Sequence, residues 1–267
     1  MKNIVRSIMD SIIFLGNGGG RVVLSTQMIS TAGFVMQLGE KQIFVDPGPG
    51  ALLRAKLCGL RASKTDIIFV SHHHLDHAND VNAVIDSMTL GGINQKGILI
   101  GTSTLINGSE TESAYLTKFH KGALKECFAL KPGDKIKINE LEFRATQTQH
   151  DCENNGFVVD TKNGRIGYTS DTAPFEGLAK QFEGCELLIL NVLKPGAQKW
   201  KTHLCSEDVV AILKEVKPKL AVIRGFGAKI VKAHPTYEAR EIQKRSGVQT
   251  VAAYDGMRID LDFGKKG

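Results

Sequence analysis

The most chemically suggestive feature of the sequence is the run SHHHLDH at 71–77. It follows the apolar stretch DIIFV, which predicts a strand, and precedes a segment with a helical pattern. Residues two apart in an extended segment project the same way, so His72 and His74 can bind one ion together. Asp76 and His77, at the turn into the helix, then point to a second position. Imidazole and carboxylate ligands suit zinc, and also iron or manganese.

The elements that position this run are predicted from the spacing of apolar residues. Short β-branched runs between glycine-rich turns predict strands at 11–16, 33–39, 41–46, 66–71, 97–101, 135–138, 141–146, 156–161, 165–170, 186–192 and 219–226. Helices are predicted at 78–88, 174–183, 206–216 and 235–246, the third with Ser206 as its N-cap. Blocks of strands alternate with strand–helix segments, which predicts an α/β protein. Its architecture would be an αββα sandwich, two packed mixed β-sheets flanked by helices. Without a linker or low-complexity segment, residues 1–267 are predicted to form a single domain.

The composition is that of a soluble globular protein, with 42% hydrophobic and 23% charged residues. The five cysteines are scattered without a C-x-x-C pair, which argues against a disulfide framework and suits a cytoplasmic protein. No apolar run of about 18 residues is present, so we expect no membrane span and no signal peptide. The net charge of +6 favours anionic partners, although the dispersed lysines also fit an ordinary solvated surface.

The motif H-x-H-x-D-H after an apolar strand resembles the signature of the metallo-β-lactamase superfamily. The opening FLGNGGG and the D-P-G loop of IFVDPGPG at 43–50 resemble its ribonuclease Z and cyclic phosphodiesterase branch, whose metals lie beside these two loops. The resemblance runs from about residue 11 to residue 260. It implies the metallo-β-lactamase fold and a metal-dependent hydrolase. One or two zinc ions are expected, with manganese or iron as alternatives.

The resemblance also implies further site residues. His150, at the end of LEFRATQTQH, matches the third histidine, and Asp171, in YTSDT, matches the bridging aspartate. His203, in THLCSED, matches a histidine that acts near the leaving group. Two alternatives stay open: Asp171 as the N-cap of the helix predicted at 174–183, and His203 as a partly exposed histidine before a helix. The implied metal ligands are His72, His74, Asp76, His77, His150 and Asp171, with catalytic roles for Asp76 and His203.

Other histidines and cysteines are not predicted to be ligands. His73 should point away from its neighbours, and His120 and His234 lie in polar contexts. Cys152 and Cys205 each follow a proposed site histidine by two residues. A thiolate ligand stays an alternative for both, but we predict small packed hydrophobic residues.

The sequence departs from the branch where a T-H-F motif usually supplies the last histidine of the second metal site. Here the chain reads Ile223-Arg224-Gly225-Phe226. In the preferred interpretation, water takes the open position and the second metal binds more weakly. Alternatively, the site holds one metal, or the guanidinium of Arg224 grips a phosphate oxygen in place of part of the second ion.

A second departure concerns the substrate. Members of the branch that process transfer RNA carry a long arm, in many of them between the third histidine and the bridging aspartate. Here only 20 residues separate His150 from Asp171. We therefore expect a small-molecule or short phosphodiester substrate. Nucleic acid stays open as a partner, but tRNA 3′-end processing is not expected; a homodimer is compatible with the sequence.

The expected reaction is metal-assisted hydrolysis of a phosphodiester. A metal ion lowers the pKa of bound water from 15.7 to about 7. Asp76 would orient the resulting hydroxide, and His203 would protonate the leaving oxygen. A lactone or thioester could be attacked in the same way, because a fold does not fix a substrate. The alternatives are a non-catalytic or degenerate metal-binding protein that binds a nucleotide or other anionic ligand, and an iron redox enzyme, which the absence of an appended flavin domain disfavours.

Overall fold

The structure, a computed structural model, describes residues 10–262 and contains fifteen strands and nine α-helices in that range. The strands are β1 (Ser11–Phe14), β2 (Phe34–Leu38), β3 (Lys41–Val45), β4 (Ile67–Phe69), β5 (Ile98–Gly101), β6 (Glu126–Ala129), β7 (Lys135–Ile138), β8 (Leu141–Gln147), β9 (Asn155–Thr161), β10 (Gly164–Tyr168), β11 (Leu187–Lys194), β12 (Leu204–Cys205), β13 (Leu220–Arg224), β14 (Thr250–Ala252) and β15 (Arg258–Asp260). The helices are α1 (Gly20–Thr26), α2 (Ala51–Leu57), α3 (Leu75–Ala78), α4 (Val81–Thr89), α5 (Ser103–Asn107), α6 (Lys118–Ala123), α7 (Ser206–Val216), α8 (Ala228–Ala233) and α9 (Pro235–Ser246).

Each half of the chain builds one mixed sheet. The first sheet has the order β15-β1-β2-β3-β4-β5-β6, and its strands are antiparallel up to β3 and parallel from β3 to β6. The second has the order β14-β13-β11-β10-β9-β8-β7, with β12 paired to β11. Its strands β7 to β10 are antiparallel and the remainder parallel. Only β15 crosses over, from the C-terminal half to the edge of the first sheet.

The two sheets pack through aromatic side chains. Phe69 of the first sheet lies 4.7 Å from Phe157 of the second, and Phe34 lies 5.2 Å from Tyr168, both measured between ring centroids. Burying such a side chain contributes about 1.5–3 kcal/mol. Further buried apolar clusters lie on the outer faces of both sheets, under the helices. The predicted αββα sandwich of two mixed sheets is confirmed.

The predicted helices at 206–216 and 235–246 are confirmed, but the N-cap of α7 is Cys205 rather than Ser206. The carboxylate of Asp208 accepts a hydrogen bond from the backbone N–H of Cys205 at 2.9 Å, which fixes this start. The segment predicted as one helix at 78–88 contains parts of two, α3 and α4. The chain breaks there because the N–H of Asp80 donates to the carbonyl of Pro47 at 2.8 Å instead of continuing the first helix.

The prediction of a helix at 174–183 is wrong. The segment forms turns and a short 3-10 helix at Ala179–Phe182. Gly177 has a φ of +85°, a left-handed conformation that an α-helix cannot accommodate. The alternative role of Asp171 as the N-cap of that helix is therefore also wrong. Among residues 10–262, no helix has both the length and the apolar character needed to cross a membrane.

Candidate metal centre

The side chains predicted to bind metal lie where strands of both sheets end. His72 follows β4 of the first sheet, and His150 and Asp171 follow β8 and β10 of the second, each three residues beyond the last strand residue. The N–H of Asn155 donates to the carbonyl of Ser71 at 3.1 Å, which joins the two sheets beside the site. Rigid strands therefore position loops from both halves of the chain against one another.

Three imidazole nitrogens form the first group of this site. Nδ1 of His74 lies 3.0 Å from Nε2 of His72 and 3.3 Å from Nε2 of His150. Nitrogens bound tetrahedrally to zinc at about 2.1 Å lie about 3.4 Å apart, so this spacing fits one ion. Nδ1 of His150 lies 3.0 Å from the carbonyl oxygen of Thr202. Because only a protonated nitrogen can donate to a carbonyl, Nε2 keeps its lone pair for the ion.

A second group of donor atoms lies next to the first. Ligand atoms of His72, His77 and Asp171 lie within 4.8 Å of one another, and so do those of His150, Asp171 and His203. Oδ2 of Asp171 is 3.3 Å from Nε2 of His77 and 3.2 Å from Nε2 of His203. Asp171 thus belongs to both of these sets of donor atoms, as a bridging carboxylate would.

The predicted ligand Asp76 lies beside these groups. Its Oδ2 accepts a hydrogen bond from the N–H of Gly20 at 3.0 Å and is 3.8 Å from Nε2 of His77. The three histidines predicted to be non-ligands lie outside all the groups of metal-binding side chains among residues 10–262. One of them, His73, faces Glu112, with 3.0 Å between Nε2 and Oε2.

Asp46 was not predicted as a site residue, yet it orients one. Its fully buried carboxylate accepts hydrogen bonds from Nδ1 of His77 at 2.8 Å and from the hydroxyl of Tyr168 at 2.6 Å. Ser71 donates to it twice, from the backbone N–H at 2.7 Å and from Oγ at 2.9 Å. The bond to Asp46 fixes a proton on Nδ1 of His77, so Nε2, which faces Asp171, is the nitrogen that would bind an ion. The D-P-G loop was the signal in the sequence that pointed here.

Burial and neighbouring charges shift the pKa values of the site residues in opposite directions. Burial lowers the pKa of His72 well below its ordinary value, and the adjacent His77 lowers it further. Burial also acts to lower the pKa of His77, but nearby carboxylates, Asp171 foremost, outweigh it and hold that pKa well above its ordinary value. Burial acts to raise the pKa of Asp171, but His77 and then His203 outweigh it and hold that pKa well below its ordinary range. The carboxylate of Asp171 is therefore ionised and available to a metal ion.

Cys152, predicted to be a packed hydrophobic residue, lies closer to the site than expected. Its Sγ is within 4.8 Å of the ligand nitrogens of His72, His74 and His150. Burial, and then the adjacent Asp151, raise the pKa of this thiol to about 12, so it is protonated at neutral pH unless a cation binds it. The prediction is therefore incomplete for Cys152, whereas Cys205 is fully buried as expected.

Arg224 points into the interior rather than toward a substrate. It is 1% exposed, and its Nη1 donates to Oδ1 of Asn191 at 2.9 Å and to the hydroxyl of Tyr168 at 3.1 Å. Its Nη2 donates to the carbonyl of Gly16 at 3.2 Å. The hypothesis that this guanidinium grips a phosphate oxygen is therefore wrong, because the group is buried and both of its terminal nitrogens donate within the fold; its Nε is buried without a partner.

Asn191 connects this buried arginine to the site. Its Nδ2 donates to Oδ1 of Asp171 at 2.7 Å, while Arg224 fixes the orientation of the amide from the other side. Gly225 has a φ of +70°, and a Cβ atom there would lie 2.9 Å from Cγ of Asn191. A histidine at position 225 would therefore collide with the side chain that holds Asp171.

The donor groups open onto a cavity of about 760 Å³. His74, Asp76, Asp171 and His203 line it, together with residues of α1, α8 and the segment between β11 and β12. The lining also includes apolar side chains, cations and one further carboxylate, namely Val22, Leu24, Leu193, Trp200, Arg21, Lys194, Lys229 and Asp151. Such a cavity can admit a small anionic ester with an apolar portion.

Residues 41–225 match the family model of the β-lactamase superfamily domain. An uncharacterized protein of Methanocaldococcus jannaschii is 34% identical over 257 residues, which cover 95% of this chain and 96% of that protein. Ribonuclease Z of Pyrococcus furiosus is 26% identical over 160 residues, 60% of this chain and 47% of that protein. The solved structure of the metallo-β-lactamase fold protein YhfI from Bacillus subtilis superimposes with a TM-score of 0.77 at 18% identity, covering 94% of this chain and 98% of that one.

The matched range runs from β3 to β13 and includes the predicted ligands from both halves of the chain. The metallo-β-lactamase fold implies binding of a divalent metal, and the histidines and aspartate described above provide donor atoms of the right kind and spacing. This chain therefore belongs to the metallo-β-lactamase superfamily of metal-dependent hydrolases, in its ribonuclease Z-like branch.

Proposed function

We propose that this protein is a metal-dependent phosphodiesterase that acts on small phosphodiesters and has an altered second metal site. One observation carries the proposal. The nitrogens of His72, His74 and His150 converge at 3.0–3.3 Å beside a cavity that also holds three cationic side chains. With a bound ion to offset carboxylates of the lining, these cations favour an anionic ester over a neutral one. The match to a ribonuclease also supports a phosphodiester substrate.

The metal would be held first by His72, His74 and His150, with Asp171 next to them, and zinc is the simplest choice for such donors. When bound, a divalent ion supplies Lewis acidity and lowers the pKa of coordinated water toward 7. Asn191 occupies one oxygen of Asp171, and no histidine stands at position 225. We therefore expect the second site, around His77, to bind an ion more weakly than the first.

The remaining steps fall to side chains that line the cavity. Asp76, held by the N–H of Gly20, can accept the proton of the attacking water. His203, held between Asp171 at 3.2 Å and Oγ1 of Thr202 at 2.8 Å, can donate a proton to the leaving-group oxygen. The carboxylate of Asp171 keeps this imidazole oriented toward the site, as an acidic partner does for a general acid.

A second candidate function is that of a non-catalytic metal-binding protein. The proximity of Cys152 to the three histidines favours it, because three nitrogens and one thiolate would form a closed, four-coordinate site. Substitution with cobalt separates the two proposals. A thiolate-to-cobalt charge-transfer band, lost in Cys152→Ser and kept in Cys58→Ser, would indicate the closed site. An exchangeable water and no such band would support the hydrolase.

The proposed hydrolase is tested by bound metal per chain and by hydrolysis of bis(p-nitrophenyl) phosphate, with His72→Ala as the test variant. His120→Ala is the matched control, because His120 lies outside the groups of potential ligands. We expect the wild type and the control to bind metal and hydrolyse the diester, and His72→Ala to lose both properties. Wild-type protein that holds one ion tightly but does not hydrolyse the diester would overturn the proposal in favour of the non-catalytic alternative.

A further inference from the structure

We propose that the cavity contains a subsite in which Trp200 stacks on a planar aromatic group of the substrate, next to the cations that bind its phosphate. The substrate class would then be nucleotide-like, a phosphate ester that carries an aromatic ring system. This inference rests on the proposed function and extends it, since it names the part of the substrate that does not react.

Trp200 is exposed in an unusual place. It is the only tryptophan of the chain, lines the cavity, and is 53% exposed. Tryptophan side chains are highly buried on average. A half-exposed indole in the wall of a cavity, beside the candidate metal-binding side chains, therefore points to a ligand that covers it. Stacking of a base on such a ring contributes about 1–3 kcal/mol.

A lysine is placed directly against this ring. Nζ of Lys194 lies 4.3 Å from the centroid of the Trp200 ring, within the range of a cation–π contact. The contact restrains the ring and puts a positive charge beside the surface on which a planar group would stack. Despite this contact Trp200 is 53% exposed, so a large part of its surface stays accessible to a ligand.

The rest of the cavity lining suits a ligand that has both an apolar part and an anionic group. Val22 is 59% exposed and lies in the lining with Leu193, whereas Arg21 and Lys229 add two further cations. Inorganic phosphate would leave the apolar side chains uncovered, and a neutral apolar ester would make no use of the positive charges. An aromatic phosphate ester satisfies both.

The loop that carries Trp200 is tied to the metal ligands. Two residues after the tryptophan, the carbonyl of Thr202 accepts a hydrogen bond from His150 at 3.0 Å, and His203 lies 5.1 Å from His150 between ring centroids. A ring stacked on Trp200 would therefore place its phosphate close to the groups proposed to hold the metal and to protonate the leaving oxygen.

The single tryptophan provides the test. We would titrate the metal-loaded protein with adenosine 5′-monophosphate and with ribose 5-phosphate, following tryptophan fluorescence and, in parallel, calorimetry. We expect saturable quenching by the nucleotide, with at least about tenfold weaker binding of ribose 5-phosphate, which lacks the base. Equal affinities for the two compounds would overturn the subsite.

Variants assign the effect to the proposed residues. Trp200→Leu should weaken binding of adenosine 5′-monophosphate about tenfold or more by calorimetry, and Lys194→Gln severalfold. Tyr237→Leu is the matched control, because Tyr237 is 61% exposed but does not line this cavity. Wild-type affinity in Trp200→Leu would overturn the subsite.

Failure of the subsite and failure of the proposed function are distinguishable in the same samples. Metal-dependent hydrolysis of bis(p-nitrophenyl) phosphate without discrimination between the two ligands would overturn the subsite alone. Selective binding of the nucleotide without hydrolysis would support the subsite and overturn the phosphodiesterase.

Discussion

At the scale of single residues, the site depends on hydrogen bonds that fix a proton on one particular nitrogen of His77 and of His150. The carboxylate of Asp46 accepts the Nδ1 proton of His77 at 2.8 Å. The carbonyl of Thr202 accepts the Nδ1 proton of His150 at 3.0 Å. Both acceptors come from loops distant in sequence from the ring that they orient. Replacing a partner of this kind typically lowers metal affinity about 10- to 100-fold.

We expect Asp46→Asn to weaken metal binding by about 10- to 100-fold, because the amide cannot accept the proton of His77 as strongly as a carboxylate does. Competition with a chromophoric chelator measures the affinity. Asp66→Asn is the matched control, since Asp66 pairs with Lys41 at 3.1 Å away from the site and should leave metal binding unchanged. An affinity within twofold of wild type in Asp46→Asn would contradict this role.

The buried arginine should matter for stability rather than for substrate binding. Arg224→Met leaves the carbonyl of Gly16 and Oδ1 of Asn191 without their donor, at about 1–3 kcal/mol for each buried group. We expect a loss of about 3 kcal/mol in the free energy of unfolding in urea. Lys232→Met, at an exposed position of α8, should change it by less than about 0.5 kcal/mol. Equal stability of the two variants would show that the guanidinium contributes nothing.

His203 should act on the leaving group, so its importance should depend on how much that group needs a proton. We expect His203→Gln to slow hydrolysis of a phenyl phosphodiester by about 10²- to 10⁴-fold, the usual range for a general acid. The effect on the p-nitrophenyl diester should be much smaller, because nitrophenolate leaves without protonation. A series of aryl diesters with leaving groups of rising pKa checks this. The same rate loss across the whole series would indicate a structural role instead.

At the scale of elements, the turn between β13 and α8 explains why the expected last histidine is absent. Gly225 combines a left-handed backbone with close contact to Asn191, whereas Gly39, between β2 and β3, has a φ of +59° and no neighbour within 4 Å of an added Cβ. A side chain at position 225 would therefore meet both backbone strain and a steric clash, whereas one at position 39 would meet backbone strain alone.

These two glycines allow the backbone and contact effects to be separated. Gly39→Ala should cost about 1–2 kcal/mol of unfolding free energy, the cost of a left-handed conformation for a residue with a Cβ atom. Gly225→Ala should cost clearly more, because Asn191 must also move. Urea denaturation of both variants measures the difference. Equal losses would mean that Asn191 yields without cost, and a histidine at position 225 would then be feasible.

At the scale of the whole molecule, the candidate metal centre joins the two halves of the sandwich. His72 and His74 follow a strand of the first sheet, whereas His150 and Asp171 follow strands of the second. An ion bound to all of them would therefore hold the sheets together at this edge. Stability and metal binding should be coupled, since a ligand that binds only the folded chain raises its stability.

Removing the metal should lower the melting temperature. At a free metal concentration 100 times Kd, binding adds about 2.7 kcal/mol, which for a chain of this size corresponds to about 5–10 °C. Thermal unfolding after dialysis against a chelator, and again after adding zinc, measures the shift. His72→Ala should show no response to zinc, and an unchanged melting temperature in the wild type would argue against an ion that bridges the halves.

The sequence by itself determined the fold family and predicted the histidines and the aspartate that the structure brings together. Ligand spacing within 71–77 is a local property, and the strands that precede His72, His150 and Asp171 are recognisable from their own apolar runs. The helices at 206–216 and 235–246 were predictable for the same reason, since each buries a face that repeats at the helical period. The single-domain organisation stays a prediction.

Only the tertiary structure decided which residues support those ligands. Asp46 lies 31 positions before His77, and Arg224 lies 33 positions after Asn191, so no local pattern links the members of either pair. The prediction of a helix at 174–183 was wrong because it rested on the local pattern of residues, and that pattern does not reveal the left-handed turn at Gly177. Contacts of this kind arise when two sheets and their loops pack together, and hydrophobic periodicity specifies which face of a strand is buried but not which distant side chain meets it.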